Sequence, residues 1–153
     1  MKIYIAHQIS GLGGQEVIDY FENTKTILQA LGFQVFSPMT AKGYFRNEIK
    51  FKEHGYEGLP VSTNHAIFER DKWMVSQADV VLTDLTGMKR NSIGCTMELA
   101  WASLLGKHTI VVMEKDNPHR HAFILEAGDI IFEQLGEAFL YLEKLITGDM
   151  KND

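Results

Sequence analysis

The sequence predicts an α/β fold: a doubly wound, five-stranded, mostly parallel sheet with helices on both faces. Three observations carry this. Strand-like and helix-like segments alternate along the whole chain, the pattern of a parallel sheet joined by helical crossovers. Two strand segments, Asp79–Leu85 (DVVLTDL) and His108–Met113 (HTIVVM), are largely apolar runs, as expected of strands covered on both faces. The length of 153 residues suits one domain spanning 1–153, large enough for a real core and short for two.

Lys2–Ala6 (KIYIA) is the first strand. From Gln15 to Leu31, Val17, Ile18, Phe21, Ile27, Leu28 and Leu31 recur at helical spacing, and Gly32 ends the helix. Phe33–Phe36 is a short second strand stopped by Pro38. Thr63–Gln77 is the next helix, with Ile67, Trp73, Met74 and Val75 expected to face inward. After the Asp79–Leu85 strand comes a third helix, Gly94–Leu105, then the His108–Met113 strand. A shorter edge strand at Ile130–Phe132 and an amphipathic helix at Glu137–Ile146 close the chain. This order suits a flavodoxin-like sheet, whose ligands sit beyond the carboxyl ends of the strands where the strand order reverses.

Between Pro38 and Ser62 no element is convincing. Tyr44, Phe45, Arg46, Phe51 and Tyr56 make this stretch too aromatic for a disordered linker. It reads either as a lid over a flat ring or as a loop packed on its own core.

Hydrophobic residues at 45% and charged residues at 23% give the balance of a soluble globular protein. A net charge of −5 argues against a surface built for nucleic acid; a single small anion held by local groups stays open. Cys95 is the only cysteine, which excludes an intramolecular disulfide or a cysteine metal cluster and fits a reducing compartment. No apolar run approaches the roughly 20 residues that span a bilayer, and the first residues lack a signal-peptide layout. A cytoplasmic protein without membrane partners is the expectation.

Three segments and one separate acid, Asp71, carry candidate chemistry. The first strand runs into HQISGLGGQ, where Gln8, Ser10 and Gly11 could approach a ligand ahead of a helix N-terminus. The dinucleotide pattern fails, because Glu16 stands at the third glycine position. A plain tight turn is the competing reading. The richest segment, residues 83–107, is a strand ending in polar residues, a loop, and a helix opening near Gly94. Glu98 falls in its early turns, where the helix dipole favours an ionised carboxylate, as a carboxylate nucleophile requires; many glutamates sit there for the dipole alone. Asp71 could serve as a second acid at the site or be a solvated helix-face residue beside Arg70 and Lys72. Asp84 ends its strand at the ligand edge and could equally cap a loop. DNPHRHAFI, residues 116–124, holds His119, Arg120 and His121. It lacks metal-ligand spacing, and reads as a phosphate or sugar contact or as a solvated basic loop. No metal or other cofactor is expected.

Together these segments resemble the nucleoside 2-deoxyribosyltransferase family. Its marks are a tyrosine-bearing first strand running into a glycine-containing loop, an aspartate ahead of an "AD-V-V" strand, and the motif G-x-x-x-E-[LI]-[GA]-x-A. Here they read KIYIAHQISG, RDKWMVSQADVV and GCTMELAWA. The likeness covers nearly the whole chain and is weakest over residues 39–62. It implies that Glu98 is the nucleophile taking the sugar at C1′, that Tyr4 orients it, and that Asp71 contacts the base and assists its departure. It also implies a homo-oligomer whose neighbouring subunit completes the site, with residues 117–123 as the contributing segment.

Transferases of the family often carry an acid six residues before the nucleophile, against the sugar 5′-hydroxyl; here that position is Ser92. A serine there resembles the nucleoside 5′-monophosphate N-glycosidases, since a hydroxyl can donate to a phosphate that a carboxylate would repel. Gln8 departs from that branch, standing where a phosphate-binding serine is often found. Sugar transfer between bases, with a nucleoside or nucleotide and a free base as partners, is the favoured expectation. Hydrolysis of a 5′-monophosphate, for example a cytidylate, is the alternative. A non-catalytic nucleotide-binding or signalling module on the same fold is a third, against which the joint presence of Tyr4, Asp71 and Glu98 argues.

Overall fold

A computed structural model describes residues 1–40, 55 and 58–148. The residues of the aromatic stretch named above, Tyr44, Phe45, Arg46, Phe51 and Tyr56, lie outside the described residues. The order of elements is β1 (Lys2–Ala6), α1 (Gly14–Ala30), β2 (Gln34–Phe36), a 3-10 turn (Pro60–Ser62), α2 (Asn64–Gln77), β3 (Val80–Asp84), α3 (Ile93–Leu104), β4 (His108–Val112), α4 (Ala122–Ala127), β5 (Ile130–Phe132) and α5 (Leu135–Thr147).

The five strands form one sheet in the order β2-β1-β3-β4-β5, and all four pairings are parallel. Every residue of β3 is buried, as its apolar run predicts for a strand covered on both sides. On one face, Ile3, Ile5, Leu82, Ile110 and Val112 pack against Val17, Phe21 and Leu28 of α1 and Ala138 and Leu142 of α5. On the other, Tyr4, Ala6 and Val81 pack against Met74 and Val75 of α2 and Ala102 of α3. Leu99, Val111 and Ile124 extend that second layer beneath α3 and α4. The strand order reverses between β1 and β3, the usual ligand position in such sheets.

Local signals set the helix ends. After α1, Gly32 adopts φ +97°, its N–H donates to Gln29 O at 3.0 Å and that of Phe33 to Leu28 O at 3.0 Å. This is a Schellman turn, closed by Leu28 and Phe33 in one apolar cluster. Thr63 is the cap of α2 and lies outside the helix, its hydroxyl accepting from the Ala66 N–H at 3.1 Å.

Two expectations need correction. Trp73 is 56% exposed and Ile27 is 42% exposed. In α2 the buried face is Asp71, Met74 and Val75, so Met74 and Val75 face inward as expected, while an acid and not Trp73 completes that face. In α1 the inward stripe runs through Val17, Phe21, Thr24 and Leu28, one helical step away from Ile27. Helix α4 has no counterpart among the elements read from the sequence, because six residues are too few to display a period.

Gly32→Ala should lower stability by about 1 kcal/mol or slightly more, the cost of a side chain in the left-handed region. Urea unfolding would show a lower midpoint with an unchanged slope.

Candidate active site

The acids at Asp71 and Glu98 lie on the buried sides of neighbouring helices. Helix α3 buries Cys95, Glu98, Leu99 and Ala102, the same spacing at which α2 and its cap bury Asp71, Met74, Val75 and Ala78. In each helix the acid therefore faces inward, toward the sheet. Both residues are 7% exposed. Asp71 is not a solvated helix-face residue.

Tyr4, fully buried on β1, reaches this space from the sheet. Its hydroxyl donates to Glu98 Oε1 at 2.7 Å. Burial, then the negative charges of Glu98 and Asp71, push the phenol well above its ordinary value of 10.0. Tyr4 is thus held as a neutral donor aimed at a carboxylate, with Asp71 within electrostatic reach. Arg70 closes on Asp71 Oδ1 with Nε and Nη2, each at 3.2 Å.

The carboxyl ends of β1 and β3 carry a second set. Asp84 is fully buried. It accepts from the Tyr20 hydroxyl at 2.7 Å, the Thr86 N–H at 3.0 Å and the Thr86 hydroxyl at 2.6 Å. His7 stacks on Tyr20 with ring centroids 3.7 Å apart, its Nδ1 lying 2.9 Å from Asp84 O. Beyond His7, Gln8 donates to Ser10 O at 2.9 Å. Gly11 follows at φ +85°, and Arg90 Nη2 lies 2.8 Å from where a Cβ on it would stand. A guanidinium from the β3–α3 loop therefore covers the glycine loop after β1.

Ser92 caps α3, its hydroxyl accepting from the Cys95 N–H at 3.4 Å. Gly94 is exposed, with nothing within 4 Å of where a Cβ would stand. His121 caps α4 and is exposed, accepting from the Phe123 N–H at 3.3 Å. The Tyr4 hydroxyl thus meets Glu98 directly and feels the charge of Asp71, while Gln8, Ser10, Gly11 and Asp84 occupy the strand ends and Ser92, Gly94 and His121 the helix starts.

A family model described as nucleoside 2-deoxyribosyltransferase matches residues 3–143. The chain belongs to the nucleoside 2-deoxyribosyltransferase family. No curated protein matches it by sequence. Several solved structures share the fold. The 2-deoxyribosyltransferase of Bacillus psychrosaccharolyticus superposes with a TM-score of 0.65 at 18% identity, over 93% of this chain and 96% of that one. The 2-deoxyribosyltransferase of Leishmania mexicana gives 0.66 at 16%, over 94% and 97%. The CMP N-glycosidase of Clostridium botulinum gives 0.60 at 14%, over 95% and 99%.

For a member of the nucleoside 2-deoxyribosyltransferase family the tyrosine–glutamate contact was foreseeable from motif likeness; other parts were not. Tyr20 stands outside the apolar stripe read for its helix, and no local pattern ties it to Asp84. Arg90 stood in a polar loop with nothing marking Gly11 as its neighbour. His119, expected in a loop, is 2% exposed, and the short spacing to Asn117 is the one sequence signal that a local turn could bury it.

His7 and His119 both enter the fold neutral. Burial lowers each below its ordinary 6.5, with Asp84 and Glu16 opposing the shift at His7. A base with a lowered folded value binds fewer protons folded than unfolded, so stability present above 6.5 is lost as pH falls below it. Urea midpoints should fall between about pH 7.5 and about pH 5.5, and less steeply in His119→Gln. Equal slopes for wild type and variant would assign the loss to other groups.

Proposed function

We propose that this protein cleaves the N-glycosidic bond of a nucleoside or deoxynucleoside and passes the sugar to another base. The observation that carries the reading is the buried 2.7 Å hydrogen bond from the Tyr4 hydroxyl to the Glu98 carboxylate. A neutral donor on one carboxylate oxygen fixes the group without protonating it, which suits a nucleophile. Glu98 attacks C1′ through an oxocarbenium-like transition state. The C1′–N bond breaks, and its electron pair leaves with the base, whose ring Asp71 contacts. The nitrogen of a second base then attacks C1′ and the ester to Glu98 breaks, returning the carboxylate. Two easier substitutions replace one difficult one. Membership of the family and the fold shared with two 2-deoxyribosyltransferases support this.

A second reading has its own observation. Arg90 over the Gly11 loop puts a planar cation beside close-approach backbone, a combination suited to a phosphate. Ser92, in place of an acid, adds no charge against it. On this reading the substrate is a nucleoside 5′-monophosphate and water takes the place of the acceptor base. Similarity to a CMP N-glycosidase is in keeping with it.

A second copy of the chain completes the site. Ile93, Met97 and Leu104 form an apolar stripe along the outer side of α3, 77%, 37% and 85% exposed, with Phe123 at 80% on α4. A subunit covering this stripe would stand one helix diameter, roughly 10 Å, from Glu98. Among the described residues no helix is long and apolar enough to cross a membrane.

Glu98→Gln should reduce glycosidic turnover by roughly 10⁴-fold or more with the fold intact; turnover close to wild type would reject the nucleophile. Chromatography of deoxynucleosides and their 5′-monophosphates, with and without an acceptor base, separates transfer from hydrolysis. If monophosphates are substrates, Ser92→Asp should depress their turnover far more than that of nucleosides, by on the order of a few kcal/mol in the barrier. Leu104→Glu should shift the sedimenting species toward monomer. Unchanged mass would place the subunit contact elsewhere.

A further inference from the structure

Behind the start of α3 lies a closed set of hydrogen bonds between two loops. The Ser92 N–H donates to His119 Nε2 at 2.7 Å. A backbone N–H can only donate, so Nε2 is the bare nitrogen and the ring proton sits on Nδ1, 2.9 Å from Asn117 Oδ1. That oxygen also accepts from the His119 N–H at 3.0 Å. The carboxamide nitrogen of Asn117 donates to Leu85 O at 2.7 Å and to Glu114 Oε2 at 2.8 Å. The other Glu114 oxygen takes the Gly87 N–H at 2.7 Å. The loop after β4 thus holds the loop after β3 at Leu85, Gly87 and Ser92.

Ser92 is where α3 begins. Its carbonyl accepts from the Thr96 N–H at 3.1 Å and from the Thr96 hydroxyl at 2.8 Å, so its place sets the axis of the first turn. Glu98 rides on the second. A helix end held by one hydroxyl cap alone would fray; here the buried His119 ring holds it from behind. The holder must accept a hydrogen bond and carry no negative charge, because Asp71 and Glu98 already burden the same layer. A neutral imidazole meets both conditions.

We infer that His119 is a positioning residue, which fixes the start of α3 and through it the Glu98 carboxylate against Tyr4. The inference rests on the reading of Glu98 as nucleophile. Three variants test it. His119→Ala removes the acceptor. His119→Asn keeps a polar group near Asn117 but is too short to reach Ser92, and serves if the alanine variant does not fold. His119→Gln restores a neutral acceptor at the reach of Nε2. In Ala and Asn variants kcat should fall roughly ten- to a hundredfold, with KM within about twofold, and Gln should recover most of the loss. Hydrogen exchange should show the Ser92 amide protected in wild type and Gln, and released in Ala and Asn.

Wild-type kcat in the Ala and Asn variants, while Glu98→Gln is inactive, would overturn this inference alone. So would a Gln variant no better than Ala. Wild-type turnover in Glu98→Gln would instead overturn the proposed function, and with it any role of His119 toward that carboxylate.

Discussion

Two acidic side chains must be kept inside a helix–sheet layer, and much of the molecule answers to that constraint. Removing a carboxylate from water costs several kcal/mol unless hydrogen bonds replace the solvent. At Glu98 the Tyr4 hydroxyl supplies one such bond, from the sheet across to α3. Asp71 is compensated by the two-point approach of Arg70 along its own helix. Small residues make the span possible: Ala6, Ala78 and Ala102 surround Tyr4 in its cluster. They let α2 and α3 approach the sheet closely enough for a phenol to bridge the gap.

The strands and the parallel order were legible because buried runs such as VVLTD and HTIVV have few other readings. Gly32 announced the end of α1 for an equally direct reason, the left-handed turn that follows it. Trp73 misled because Asp71 occupies an inward position, so that the polar pattern and the buried face disagree in α2. That disagreement was itself a mark of the candidate site. The likeness of GCTMELAWA to a family motif pointed to Glu98, where periodicity alone left it a helix-start glutamate. The grouping of His119, Asn117 and Glu114 behind Ser92 was illegible, because it joins loops 27 residues apart through backbone groups that carry no sequence signal.

Similar folds at 14% to 18% identity, over nearly whole chains, show how little of the sequence the architecture requires. The choice among chemistries then falls to a few side chains at the strand ends. Asp84 illustrates the division of labour. It terminates β3 at the carboxyl edge of the sheet, and its two oxygens are engaged by Tyr20 and Thr86. It thereby joins α1 to the loop that leads into α3, while Arg90 from that same loop leans over Gly11.

The hydrogen bond between Tyr4 and Glu98 joins residues 94 positions apart. β1 leaves the ribosome well before β3 and α3, yet it lies in the interior of the sheet, between β2 and β3. During synthesis Tyr4 waits until α3 has emerged before it meets its partner. Contacts of such separation slow folding, and none of the first half of the chain can assemble the pair alone. Conversely, peeling α3 away would dismantle the pair while leaving the β1–β3 ladder in place. Local loosening of that one helix is therefore a route by which this chain can lose its acidic centre long before it loses its sheet.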